Sequence, residues 1–125
     1  MRIERRFTKG AQSAYAGIEF RKATSEIRNP DGSIVFRLAD IDVPAQFSQV
    51  AADILAQKYF RKAGVPARLR RVEENDVPSF LWRSVADEAA LAELPEDERY
   101  GSETDARQVF DRLAGTWTYW GWKGG

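Results

Sequence analysis

The sequence predicts an α+β fold in a single domain, with a small antiparallel β-hairpin followed by two main amphipathic helices and one short helix. Apolar residues take every second position on both sides of a turn sequence at residues 29–32, which is typical of paired strands. Two later stretches place apolar residues three and four positions apart, which is typical of amphipathic helices. Because 125 residues leave room for one domain, we expect a strand-rich part at 1–44 and a helical part at 45–125.

The hairpin is predicted by its turn. Ile18 and Phe20 alternate with charged residues, and Ile27 leads into Asn-Pro-Asp-Gly at residues 29–32. Proline presets φ at the second turn position, and glycine at the exit takes a positive φ without steric penalty. Beyond the turn, every second position is again apolar, at Ile34, Phe36 and Leu38.

A first main helix is predicted from about Ala45 to Ala63. The pair Val43-Pro44 favours a change from strand to helix, because proline disfavours the α conformation before it but fits a first helical turn. Gly64, followed by a proline two residues later, is a stop signal. The positions at helical spacing between these points are Phe47, Val50, Ala51, Ile54, Leu55 and Lys58.

The rest of the chain is predicted to be irregular first and helical at its end. Residues 65–86 follow no single period, and the apolar run at 80–82 favours a short extended or irregular segment on the core. A short helix is expected from Ala86 to Leu94. For the final helix, Ser102 and Asp105 resemble a capping box. The apolar stripe that follows consists of Ala106, Val109, Phe110, Leu113, Ala114 and Trp117.

The composition excludes several kinds of chemistry. Without Cys or His, the chain cannot supply a thiolate nucleophile, a disulfide, a Ser-His-Asp triad or an ordinary zinc site. Nineteen Lys and Arg balance nineteen Asp and Glu, so no net charge attracts nucleic acid or anionic lipid. No window has the apolar length of a signal peptide or a membrane span. We therefore expect a cytoplasmic protein with no membrane partner.

One segment is strongly basic. Six cations lie within residues 58–71 with no acid among them, at Lys58, Arg61, Lys62, Arg68, Arg70 and Arg71. They fit a solvated helix end, contact with another part of a longer chain, or binding of a nucleotide or nucleic acid. Zero net charge argues against a dedicated nucleic-acid binder, and helical spacing places at least one of Tyr59 and Phe60 in the core rather than against a base. No nucleic-acid partner is expected.

The acidic residues of the second half do not predict a site. They lack the fixed spacing of a calcium loop, and carboxylates near a helix start usually serve the helix dipole and solubility. They are Asp87, Glu88, Glu93, Glu96, Asp97, Glu98, Glu103 and Asp105. Gly10 and Gly17 do not form a phosphate loop, nor does the Gly-Gly pair at 124–125. We expect no catalytic, cofactor-binding or metal-binding residue in this chain.

The segment TWTYWGWKGG at residues 116–125 carries three of the four tryptophans. Each large aromatic side chain buries roughly 150–250 Å², so an exposed cluster would be a sizeable apolar patch. Either the rings fold back onto this domain's own core, or they pack against a surface of a longer chain; a ligand cage is a weaker alternative. If the rings are exposed, the domain should self-associate, with a symmetric homodimer as the expected form.

Long strings of the sequence resemble the N-terminal region of the vitamin B12-dependent (class II) ribonucleotide reductases. The strings are AADILAQKYFRKAGVP at 51–66, ETDARQVFDRLAGTWTYWGW at 103–122, MRIERRFTK at 1–9 and TSEIRNPDG at 24–32. The resemblance covers nearly the whole chain, and strings so long are poor candidates for coincidence. It identifies the chain as the N-terminal region of a longer enzyme.

The resemblance implies a parent enzyme, an oxidoreductase, that converts ribonucleotides to deoxyribonucleotides for DNA synthesis through a thiyl radical. Adenosylcobalamin is the implied cofactor, and a thioredoxin-like protein the implied reductant. In this family the radical cysteine, the reducing cysteine pair and the proton-handling residues belong to a large α/β barrel after the region matched here, so none can be carried over.

The implied role of this chain is that of a structural domain of a ribonucleoside-diphosphate reductase. It would cover part of the barrel, bind no cofactor by itself and be inactive alone. Whether the substrate is a diphosphate or a triphosphate, and whether this segment touches cobalamin or an effector nucleotide, stays open. The alternative is a free-standing nucleotide- or protein-binding module that uses the basic segment 58–71.

Overall fold

The structure, a computed structural model, describes residues 3–125; Met1 and Arg2, which open the matched N-terminal string, lie outside the described residues. The fold is α+β, as predicted. The strands are β1 (Phe20–Arg28), β2 (Ile34–Pro44), β3 (Val65–Pro66), β4 (Leu69–Arg71), β5 (Ser84–Ala86) and β6 (Tyr100–Gly101). The α-helices are α1 (Gln49–Ile54), α2 (Glu88–Ala92) and α3 (Ala106–Gly124).

Strands β1 and β2 form the predicted antiparallel hairpin, with Phe20 opposite Pro44 at its base and Arg28 opposite Ile34 at its tip. Gly32 has the positive φ, 88°, that the turn requires. The alternation predicted from Ile18 is wrong at its start, because the strand begins at Phe20 and the described chain before it consists of turns and bends.

The predicted helix at 45–63 is wrong at both ends. Pro44 still pairs with Phe20 in the sheet, and the helix begins only after Ser48, whose hydroxyl accepts a hydrogen bond from the Ala51 N–H at 3.1 Å. Helix α1 continues as a π-helical turn (Leu55–Tyr59) that ends where Phe60 becomes extended, four residues before Gly64. A shorter helix lets Phe60 reach the core, where it is buried.

The predicted apolar stripe of α1 is also partly wrong. Ala52, Leu55 and Ala56 face the core, whereas Val50 and Ile54 are more than half exposed. Two of these three buried residues are alanines, whose small side chains let the helix approach β1 closely. The larger apolar residues are left on the outside of the domain.

Residues 65–101 are held by two small antiparallel pairs that lie in the part expected to be helical. Strand β3 pairs with β6, and β4 pairs with β5. Turns of 3₁₀ helix occur at Ser79–Leu81 and Glu96–Glu98, so the apolar run at 80–82 is irregular, as predicted. Helix α2 lies inside the predicted range 86–94, with Asp87 as its N-cap.

Helix α3 is confirmed, but its predicted cap is wrong. The N-cap is Asp105, which accepts from the Arg107 N–H at 2.9 Å, while the Gln108 side chain accepts from the Asp105 N–H at 3.0 Å. Ser102 lies outside this capping box. None of the described helices, over residues 3–125, has both the length and the apolar character needed to cross a membrane.

The core lies between the inner face of the hairpin and the helices α1 and α3. The fully buried residues there are Ile41 and Val43 of β2, Ala52 of α1, Ala56 of the π-helical turn and Ala106 of α3. Two helices therefore pack on the base of a single hairpin.

Candidate interaction surfaces

Helix α3 presents an apolar stripe that is buried at its start and exposed at its end. At 100° per residue, Trp117 and Trp120 fall on the same side of the helix as Ala106 and Leu113. Ala106 is fully buried and Leu113 packs partly on the core, but Trp117 is 63% exposed and Trp120 is 65% exposed. The stripe thus continues for about two turns beyond the part of the domain that covers it.

The opposite side of the same helix end is fixed by polar contacts. The Tyr119 hydroxyl donates to a Glu74 carboxylate oxygen at 2.8 Å, and the Lys123 ammonium lies 2.8 Å from the other oxygen. The Trp122 indole N–H donates to the Asp76 carbonyl at 2.7 Å. The hydrogen bonds from Lys123 and Tyr119 hold the pKa of Glu74 below its usual range. This contact set, which we call the 74–76 clamp, holds α3 with Trp117 and Trp120 pointing outward.

These positions correct one of the two interpretations of the aromatic segment. The rings do not fold back onto the domain's own core, because Trp117, Trp120 and Trp122 all remain more than half exposed. Ala114, predicted to belong to the buried stripe, is exposed as well. The exposed rings leave an apolar surface that fits a contact with further polypeptide.

A second apolar surface lies on α1. Val50 is 67% exposed and Ile54 52% exposed. Beside them is a shallow pocket of about 230 Å³ lined by Phe47, Ala51, Ile54, Leu55 and Tyr59. The Phe47 ring packs edge-on against Phe110 of α3 with centroids 6.5 Å apart. The pocket on α1 is therefore joined to the stripe on α3.

Glu103 is a buried carboxylate between α1 and α3. It accepts from the Arg61 backbone N–H at 2.7 Å and from Arg112 Nε at 3.1 and 3.2 Å, while Arg112 also donates to the Tyr59 carbonyl. Burial alone would raise the pKa of Glu103, but the hydrogen bonds and charges of Arg112 and Arg61 outweigh it, so this pKa lies below its usual range. These contacts are structural, because they connect the backbone at residues 59–61, the Glu103 side chain and Arg112 of α3.

Three of the six cations of the basic segment 58–71 contact other parts of the domain. Arg61 pairs with Glu103, Lys62 lies over the Phe36 ring and donates to the Gln57 carbonyl, and Arg71 donates to the carbonyls of the 79–82 segment. Phe60 is buried, so an aromatic pair for base stacking is not formed. These contacts favour a structural role for the segment over an open phosphate-binding surface.

Three of the eight acidic residues named above have local structural roles. Asp87 caps α2, Asp105 caps α3 and Glu103 is paired with arginines. Within the described range 3–125, no three acidic side chains are grouped so that they could hold a metal ion.

Sequence reasoning missed two contact sets. One is the 74–76 clamp. The other is Tyr15, whose hydroxyl donates to Asp111 of α3 at 2.6 Å and whose ring packs on Phe20. Burial and the neighbouring Asp111 carboxylate raise the pKa of Tyr15. The sequence gave no signal of the contact between Tyr15 and Asp111, because 96 residues separate the two partners.

A small α+β domain that leaves an aromatic stripe and an apolar pocket uncovered is of the class that packs against a larger body. Comparison with known proteins shows the family to which the domain belongs. The family model for class II vitamin B12-dependent ribonucleotide reductase matches residues 21–125. The chain therefore belongs to that family, as the resemblance of its sequence strings predicts.

Two relatives illustrate the match. A vitamin B12-dependent ribonucleotide reductase of Agrobacterium fabrum is 86% identical over 99% of this chain and 10% of its own length. One from Bradyrhizobium diazoefficiens is 72% identical over 100% of this chain and 10% of its own length. The chain thus spans about a tenth of the length of the curated relatives it matches, and it corresponds to the N-terminal region of the family.

Proposed function

We propose that this chain is the N-terminal structural domain of an adenosylcobalamin-dependent ribonucleoside-diphosphate reductase. The parent enzyme converts ribonucleotides to deoxyribonucleotides in the cytoplasm, with a thioredoxin-like protein as reductant. This chain contributes no catalytic residue, since thiyl-radical chemistry needs cysteine and the sequence has none. Its partner is the catalytic barrel of the same polypeptide.

The residues of this chain do not fit the cofactor. Adenosylcobalamin brings its own ligands to cobalt, but its rim of amide groups calls for polar partners on the protein. The chain has no His or Cys, and the pocket on α1 is lined by Phe, Ala, Ile, Leu and Tyr side chains. We therefore place the cobalamin site in the rest of the enzyme.

The observation that carries the proposal is the uncovered stripe of α3. A tryptophan side chain of roughly 200 Å² that is about two-thirds exposed has about 130 Å² left to bury, or about 3 kcal/mol at roughly 25 cal/mol per Å². Trp117 and Trp120 together would contribute about twice that in contact with the barrel. The 74–76 clamp keeps both rings available for this contact.

The test compares one substitution in two settings. In the isolated chain, Trp117→Ser should change the free energy of unfolding by less than about 0.5 kcal/mol, because the ring is mostly exposed there. In the full-length reductase, the same substitution should lower the thermal midpoint and loosen this domain, measured by calorimetry and limited proteolysis.

The matched control is Phe80→Ser. Phe80 is 75% exposed and lies on the 3₁₀ turn Ser79–Leu81, which contacts α3 but is not part of its apolar stripe. It should have less effect than Trp117→Ser in the full-length enzyme. An equal effect of Trp117→Ser in both settings would show that the stripe is not buried in the enzyme, and the proposed docking role would be wrong.

A further inference from the structure

The hairpin extends beyond the core as an arm, which we define as residues 26–37. Along the inner face, burial falls from Ser25, which is fully buried, to Ile27, which is 39% exposed. Along the same face of β2 it falls from Ile41, fully buried, to Ile34, which is 50% exposed. The base of the hairpin is therefore packed by the helices, whereas its distal part is more exposed and meets the rest of the domain where Lys62 lies over the Phe36 ring.

A β-bulge separates the two parts of the hairpin. The register shifts between Ala23 and Ser25, and the extra residue on β2 leaves Asp40 at a φ of 55°. Bulges bend the strand that contains them and increase its twist. The bulge thus sets the direction in which the arm leaves the core.

The arm is rigid at its tip. The Asn29 N–H donates to the Ser33 carbonyl at 2.8 Å, and the Gly32 N–H donates to the Asn29 carbonyl at 2.9 Å. The Ser33 N–H and hydroxyl both donate to the Asp31 carboxylate, at 2.8 and 2.6 Å. These bonds hold the pKa of Asp31 below its usual range. A preorganised tip loses little conformational entropy when it meets a partner.

Apolar side chains flank the polar turn at the tip of the arm. Three β-branched side chains beside the turn are 39 to 60% exposed: Ile27, Ile34 and Val35. The charged residues of the arm are two acids, Glu26 and Asp31, and two bases, Arg28 and Arg37, and Glu26 pairs with Arg28 at 2.6 Å. A neutral tip flanked by apolar side chains fits an apolar protein surface and not a phosphate group.

We propose that this arm is a second docking element, whose apolar side chains beside the turn pack against the catalytic region of the same polypeptide. The inference rests on the proposed function. Three half-exposed side chains can bury a few hundred Å² at most, whereas a stable complex of separate chains buries about 600–1,000 Å² on each partner. A tethered partner needs less area because its effective concentration is high. Curated relatives are about ten times as long as this chain, which supplies such a partner.

Amide hydrogen exchange tests the arm in two settings, the full-length reductase and the isolated chain. We expect the amides of residues 29–36 to exchange roughly tenfold more slowly in the full-length enzyme. Val35→Thr in the full-length enzyme should remove most of that protection. Threonine keeps the β-branched shape, and exchange at Ile41 and Val43 reports whether the fold is intact.

The matched control is Val50→Thr, the same change at a residue of α1 that is 67% exposed. It should leave the protection of the arm unchanged. Equal exchange of the arm in both settings, or equal effects of the two substitutions, would overturn the inference. Protection that grows with the concentration of the isolated chain would also overturn it, in favour of a second copy as the occupant.

The amides of residues 116–123 separate this inference from the proposed function. If α3 is protected in the full-length enzyme while the arm is not, the arm is free and the docking role of the α3 stripe stands. If neither segment gains protection, both proposals are wrong.

Discussion

Replacing Glu103 by Gln removes the charge of a buried carboxylate that joins the end of α1 to α3. The amide oxygen of Gln can still accept from the Arg61 N–H, so that hydrogen bond, 2.7 Å long, should persist. What is lost is the charge facing Arg112, whose Nε lies 3.1 Å from the carboxylate. Breaking a fully buried pair from one side costs about 3–5 kcal/mol. Because the Arg112 side chain is 29% exposed and can be hydrated, we expect a loss of about 2 kcal/mol.

The same variant should change how stability depends on pH. The folded-state pKa of Glu103 lies below its usual value of 4.5, chiefly because hydrogen bonds and charges from Arg112 and Arg61 overcome the effect of burial. A lowered folded pKa contributes stability that is complete above the unfolded pKa and is lost as the pH falls through the folded pKa. The difference between wild type and Glu103→Gln should therefore shrink below about pH 4.5.

Urea unfolding followed by circular dichroism, from pH 7 to pH 3, measures both effects. Glu98→Gln is the control, since this residue is exposed on the 3₁₀ turn Glu96–Glu98. It should change the free energy of unfolding at pH 7 by less than about 0.5 kcal/mol. If Glu103→Gln is as mild as the control, or if its cost is independent of pH, the carboxylate does not hold the segments together as described.

Three further outcomes are expected of the isolated chain. Gly32→Val should destabilise it by about 1 kcal/mol, because Gly32 has a φ of 88°. Gly10→Val, at a position without that constraint, should be nearly neutral in the same urea titration. Asp105→Ala should cost about 1 kcal/mol by removing the α3 cap, whereas Asp105→Asn, which keeps an acceptor oxygen, should cost much less; a similar loss for both would mean that the cap is not what Asp105 provides. Light scattering should show self-association as the concentration rises, because the α3 stripe is exposed, and strictly monomeric behaviour would contradict that expectation.

The sequence by itself determined the elements that depend on neighbouring residues only, which are the hairpin turn and helix α3. The hairpin follows from Asn-Pro-Asp-Gly at 29–32, since proline and a glycine with positive φ specify the turn wherever it lies. Helix α3 follows from nineteen residues with one apolar stripe. The lack of cysteine leaves this chain without a thiol, and long matching strings predicted the family that the comparisons then showed.

The tertiary structure decided what depends on partners distant in sequence. Helix α1 begins late because Pro44 is still paired with Phe20, and it ends early because Phe60 is needed in the core. The short strands form only because β3 meets β6 and β4 meets β5, pairings that no periodicity in a two- or three-residue strand can show.

The exposure of the aromatic stripe was decided in the same way. Ala106 and Trp117 lie on the same face of α3, yet Ala106 is buried and Trp117 is not. The difference arises because the hairpin and α1 extend along only the first part of α3. A periodic pattern specifies which residues share a face of a helix. It does not specify what lies opposite that face, which only the packing of the folded domain against its neighbours determines.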